Sequence, residues 1–207
     1  MRNIYTDTND VTLIGRPVGD IVDRFITPDG RRFVCTQMVT RRKSGTEDYT
    51  TLTVPVDKIH LLDEPRLFVR GQYRTYNIDG HLVQRLFVKD IHPTTIVDDT
   101  NELRFTGTIS KLGLVRETPR GKIIVDAIVA INCDKKTSYI PCVIWGTLAR
   151  YIADSPVGTR ISCTSRLQSR EYEKIIDDEK ITKTAYEVSI LDLEIIGGDD
   201  NGHNSTR

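Results

Sequence analysis

The chain has 207 residues, 38% of them hydrophobic and 28% charged, with 29 basic and 29 acidic side chains and a formal net charge of zero. That supplies apolar material for one large core or two small ones and excludes a histone-like polycation, while no apolar run nears the ~20 residues of a membrane-spanning helix. The opening MRNIYTDTNDV lacks the apolar stretch of a signal peptide, and Cys35, Cys133, Cys142 and Cys163 form no C-x-x-C pair or zinc spacing, so reduced thiols in a cytoplasmic, metal-free protein are expected.

In chain order, NDVTLIG (Asn9 to Gly15) predicts a first strand, followed by a variable loop. RRFVCTQMVT predicts a second strand, RRKSGTED a polar hairpin tip, YTTLTVP a third strand and DKIHLL a short helix. LFVRGQYRTYN and LVQRLFVKDI predict two more strands, and the polar stretch at 92–101, HPTTIVDDTN, reads as a linker. The order then recurs: NELRFTG (Asn101 to Gly107), KIIVDAIVAI, the tip NCDKKTS, YIPCVIWG, the helix TLARYIA, a strand through Arg160 to Tyr172, and AYEVSILDLEII. A repeat at this spacing predicts two copies of one all-β domain, each a small barrel or sandwich of five strands with one short helix, over residues 1–97 and 98–197. The tail at 198–207 has no apolar periodicity and is expected to be disordered.

Strand side chains alternate between two faces. From Arg160 to Tyr172, Ile161, Cys163 and Leu167 turn to the core, while Arg166, Gln168, Arg170 and Tyr172 turn outward. The first copy repeats this, with Leu67, Val69 and Tyr73 inward and Arg70, Gln72, Arg74 and Tyr76 outward. In YIPCVIWG, Tyr139, Val143 and Trp145 share one face and Ile140, Cys142 and Ile144 the other. Both faces are apolar or aromatic, so one needs cover from a ligand or another subunit. Arginines that neutralise phosphates beside rings that stack on bases suit single-stranded nucleic acid, because a duplex hides its base faces.

These residues resemble the bacterial single-stranded DNA-binding protein family. Its OB-fold opens with Asn-x-x-x-x-x-Gly, as Asn9 to Gly15 and Asn101 to Gly107 do here. IWGTLARYI is similar to its phenylalanine-glycine turn into a helix, with Trp145 in the phenylalanine place, and VGTRISCTSRLQSREY to its later strand ending in an aromatic, Tyr172. The resemblance spans nearly all of 9–196. It implies an all-β chain of two tandem OB-folds (five-stranded barrels), each with one short helix. It implies sequence-tolerant binding and protection of single-stranded DNA in replication, recombination or repair, with no catalysis and no cofactor. Tyr139, Trp145 and Tyr172 take stacking positions; Tyr49 corresponds to Tyr139, and Pro55 stands where Trp145 would be. Lys135 stands where the family has a further aromatic, with Lys136 beside it. Since family members assemble as four OB-folds, a homodimer is implied, with replication or repair proteins as partners. The tail lacks the family's acidic, hydrophobic tip, which weakens recruitment through that element.

Arg41, Arg42 and Lys43 on the first hairpin tip either wrap a strand or are simply solvated. The four histidines show no metal spacing, TPDGRR reads as a β-turn, and no phosphate-loop or nucleophile–base arrangement is present. The rival to strand binding is a primosome-type or structural OB-fold module whose faces bind protein, because one fold supports many ligands.

Overall fold

The structure, a computed structural model, describes residues 7–119, 121–134, 136–176 and 179–197. The expected disordered tail and Lys135 lie outside these residues. The first copy comprises β1 (Asn9–Ile26), β2 (Arg32–Arg41), β3 (Glu47–Pro55), a 3-10 helix (Val56–Asp63), β4 (Leu67–Ile78) and β5 (His81–Pro93). The second comprises β6 (Thr100–Leu112), β7 (Arg116–Glu117), β8 (Ile123–Cys133), β9 (Lys136–Trp145), α1 (Gly146–Ile152), β10 (Arg160–Ile176) and β11 (Glu179–Ile195). Both expected helices are present, but the first is 3-10. It carries no fully buried residue and rests only Val56, Ile59, Leu61 and Leu62 on the core, so tertiary packing does little to enforce α geometry. Much of the expected first loop is strand, because β1 runs on to Ile26 along β2. Among the described residues no helix is long and apolar enough to cross a membrane.

Each copy closes on itself through strand pairing. β1 runs antiparallel to β2 and β4, β2 to β3, and β4 to β5, and a parallel β3–β5 contact completes the circuit. β6, β8, β9, β11 and β10 repeat the circuit, including the parallel contact, now between β9 and β11. Both copies carry a bulge at the same place, after Arg70 in the β4–β5 pairing and after Thr164 in the β10–β11 pairing. Antiparallel pairing of β1 with β6, Asn9↔Phe105 to Ile14↔Thr100, joins the circuits into one eleven-stranded sheet. Alternate residues of these strands, such as Val11 and Leu13, or Leu103, Phe105 and Ile109, are buried in one apolar cluster that spans both copies. Burying a side chain of this size contributes roughly 1.5–3 kcal/mol.

The shared opening pattern has a physical cause at each end. Asn9 pairs with β6 through its backbone, so its side chain serves β4. Its Nδ2 donates to the Tyr73 carbonyl (2.8 Å) and its Oδ1 accepts from the Tyr73 N–H (2.9 Å). Asn101 repeats this on Leu167, at 2.8 and 2.9 Å. An amide side chain offers the same donor and acceptor as a peptide unit and stands in for one rung of the ladder. The closing glycines answer a different need, close backbone approach. A Cβ on Gly15 would lie 2.2 Å from the Val39 carbonyl oxygen, and one on Gly107 would lie 2.8 Å from that of Ala130.

Asn9→Ala leaves the Tyr73 N–H and carbonyl buried and unpaired, and should destabilise the chain by about 2–4 kcal/mol in urea unfolding. Asn9→Asp keeps the acceptor but sets a buried carboxylate oxygen against the Tyr73 carbonyl, so it should lose at least as much. A smaller loss than that of Asn9→Ala would show that the amide's donor contributes nothing.

Candidate nucleic-acid interface

β9 ends at Trp145, where Gly146 turns the chain into α1 with φ +60. The indole Nε1–H donates to Ser189 Oγ on β11 at 3.1 Å, which fixes the half-buried ring on the outer side of the sheet. From Trp145 opens a groove of about 1570 Å³ that also contains Arg166 and Arg170 of β10, Arg116, Lys122 and Arg150. Arg116 is held by Asp126 at 2.6 Å. Arg166, Arg170, Lys122 and Arg150 have no carboxylate within ion-pair distance among the described residues.

Arg166 is the most exceptional of these. Its Nε is buried and meets no acceptor. Burial, and then the neighbouring Arg42 guanidinium, hold its pKa below the ordinary arginine value. A buried donor without a partner is costly, and an anion entering the groove would satisfy it. Beyond it, Arg170 lies over the Tyr172 ring at 5.9 Å, and Tyr172 is partly exposed at the strand's outer end.

Arg42 reaches this groove from the first copy. Its guanidinium holds Asp48 bidentately, 2.6 Å on each side, and that hydrogen-bonded carboxylate raises the arginine's pKa. Asp48 is fully buried and also accepts the Ser169 N–H of β10 at 3.1 Å. The first hairpin tip is thereby pinned to β10 of the second copy. The second tip is pinned in return, with Asp134 on Arg74 at 3.3 Å and Cys133 Sγ accepting from Gln72. The tyrosines follow the same two-fold pattern: Tyr49 N–H donates to Ser169 Oγ (2.9 Å) and Tyr139 N–H to Thr75 Oγ1 (3.0 Å).

These contacts correct the simple alternation expected from sequence. Gln72 and Gln168, read as outward-facing, are buried because the opposite copy's tip covers them. Val143, whose face was expected to need a ligand or subunit, is only 7% exposed within the chain itself. Of that face Tyr139 stays open, at 53%. Trp145, Arg166 and Arg170 come together in the groove with Arg42, whereas Tyr139 and Tyr172 lie outside its lining. In the first copy Arg70 is exposed, but Arg74 sits over the Phe87 ring at 5.3 Å and Tyr76 packs on it at 5.6 Å. Arg41, Lys43 and Lys136 are exposed. Sequence reasoning missed Ser189, Arg116, Lys122 and Arg150, which reach the groove from separate elements and share no motif. Burial pushes the Cys163 thiol up to about 12, all four cysteines are free, and no cluster of metal-ligating residues occurs among the described residues.

Arg42→Ala strips a buried carboxylate of its cation and should cost about 3–5 kcal/mol in urea unfolding. Arg41→Ala and Lys43→Ala, on the same tip but exposed, should stay within about 0.5 kcal/mol of the parent. A neutral Arg42→Ala would mean that the tip is not clamped.

Residues 100–196, nearly all of the second copy, match the model of the single-strand binding protein family. No curated protein gives a significant match to the chain. Among solved structures, the wild-type single-stranded DNA binding protein from Thermus aquaticus superposes with a TM-score of 0.70 at 20% identity, over 94% of this chain and 95% of that one. A deletion mutant of the same Thermus protein gives 0.71 at 20% identity, over 94% and 97%. The second copy is thus similar in sequence to the single-strand binding protein family, and the whole chain shares the fold of the Thermus structures.

Proposed function

We propose that the chain binds and protects single-stranded DNA with little regard to sequence, as a non-catalytic protein of replication, recombination or repair. In this reading each strand circuit is an OB-type barrel, and the two barrels form domains at 1–97 and 98–197. The observation that carries it is the groove that sets the Trp145 ring beside Arg166 and Arg170, two guanidiniums with no acidic partner among the described residues. A ring gives any base a stacking surface worth roughly 1–3 kcal/mol, and unpaired cations take the phosphates. Neither contact reads a base edge, which is the source of the sequence tolerance. Arg41, Lys43, Lys136, Tyr139 and Tyr172 line the strand's route beyond the groove. The name of the Thermus protein agrees with this ligand, and the family match falls on the copy that holds the groove. A homodimer with four strand circuits completes the proposal.

Trp145 is the only tryptophan of the chain, so its emission reports directly on the groove. Titration with oligo-dT should quench it saturably, high salt should reverse the quench, and duplex of equal length should compete poorly. Trp145→Ala should cost roughly 1–3 kcal/mol of affinity. Arg166→Ala and Arg170→Ala should each flatten the log–log salt dependence by about 0.7. Unchanged emission together with an absent gel shift would remove the reading. Light scattering at micromolar concentration should give twice the chain mass, and a monomer mass would remove the homodimer.

A further inference from the structure

We infer that the chain has one strand-binding groove, on the second copy, because the corresponding groove of the first is filled by the protein's own side chains. This rests on the single-strand reading above. The two copies match position by position through their ladders. Phe25 pairs with Phe33 as Arg116 pairs with Ile124. Phe33 pairs with Pro55 as Ile124 pairs with Trp145. Phe87 lies opposite Gln72 as Ser189 lies opposite Arg166. Tyr76 stands three residues beyond the Asn9-bonded Tyr73, and Arg170 three beyond the Asn101-bonded Leu167.

At every one of these places the second copy has a residue that lines its groove. The first copy instead has rings in mutual contact. Phe25 stacks on Phe33 at 5.4 Å, Phe33 meets Phe87 at 6.0 Å, and Phe87 meets Tyr76 at 5.6 Å. Where Trp145 would offer an indole, Pro55 offers none. Phe33, at the centre, is only 7% exposed. The cations are occupied too. Arg31 lies over Phe33, Arg85 over Phe25 and Arg74 over Phe87, at 5.9, 6.0 and 5.3 Å. Arg85 is further paired with Asp23 at 3.0 Å, and Arg74 with Asp134 at 3.3 Å.

A base needs an open ring face and a phosphate needs a cation without a carboxylate. The groove of the second copy presents both; at the corresponding places of the first, the rings pack on one another and Arg31, Arg74 and Arg85 lie over them with carboxylates of their own. Serine at 189 in place of phenylalanine at 87 leaves the space open, and the same serine orients the indole. The chain therefore has one strand-binding groove, closed on one side by Arg42 of the first copy. The first copy acts as its scaffold.

The test is anisotropy of fluorescein-labelled oligo-dT at one fixed salt concentration, on full-length variants whose folding is checked by thermal melting. Trp145→Ala with Arg166→Ala should weaken binding about 100-fold. Tyr76→Ala and Phe25→Leu, in the filled groove, should bind within twofold of the parent. If the double variant melts below the assay temperature, Lys122→Ala with Arg170→Ala, both on exposed positions of the open groove, replaces it and should lose about tenfold. A groove variant that stays within threefold of the parent, or a loss beyond threefold in the Tyr76 or Phe25 variant, overturns the inference while leaving single-strand binding intact. A parent protein that does not bind oligo-dT at all removes the single-strand reading, and the inference with it.

Discussion

β1 and β6, the strands that open the two copies, run antiparallel across Asn9–Ile14 and Thr100–Phe105, and each gives up a strand edge to do so. A strand has two edges, and inside its own circuit β1 must also serve β4 and β2. The conflict is resolved along the length of the strand. β6 pairs as far as Ile14, β2 takes over at Arg16, and at Asn9 a side-chain amide supplies what the backbone no longer can. Asn101 does the same for β6 against β10. Buried peptide groups have to be paired, so the junction requires an amide of this reach at both places. Several matched contacts between the copies follow from the approximate two-fold relation set by this pairing: Tyr49 on Ser169, Tyr139 on Thr75, the first hairpin tip on β10 and the second on β4.

The two-fold relation holds for the backbone and breaks for the chemistry. The tips show this at small scale. Arg42 with Asp48 makes a buried, bidentate pair, whereas Arg74 with Asp134 makes a longer one with an exposed carboxylate. The outer faces show it at large scale, with a ring cluster on one copy and a groove on the other. Arg42 spans both scales. It anchors the junction through Asp48, and its charge, brought close by that anchoring, helps to depress the pKa of Arg166. Stability at the junction and anion affinity in the groove therefore share one residue. Substitutions at Arg42 change both, and those at Arg166 are the cleaner probe of the ligand.

Much of this was legible in the residues. Strand alternation at Leu103, Phe105 and Ile109, the two Asn-x-x-x-x-x-Gly openings, the tips and the linker were all local patterns, and local patterns determine which segments are strands and that the chain is a repeat. Alternation also placed Trp145, Arg166 and Arg170 on outward faces. It could not place Gln72, Gln168 or Val143, because what covers a strand's outer face comes from elsewhere in the chain.

By itself the sequence determined the all-β repeat, the order of its main elements and the aromatic and basic character of β4 and β10, since period-two patterning and turn residues act over a few neighbours. Only the tertiary structure decided which of those side chains remain available. Phe25 and Phe33 come from one hairpin and Tyr76 and Phe87 from another, distant in the chain, and the two pairs meet across four strands, while Ser189 leaves the same space empty beside Trp145. Whether an arginine is spent or free depends in the same way on its neighbours in space: Arg85 on Asp23, Arg42 on Asp48, and Arg166 on no acidic partner among the described residues. The physical reason is that stacking and ion pairing fall off within a few ångströms, and ångström-scale neighbours are set by strand register and chain closure.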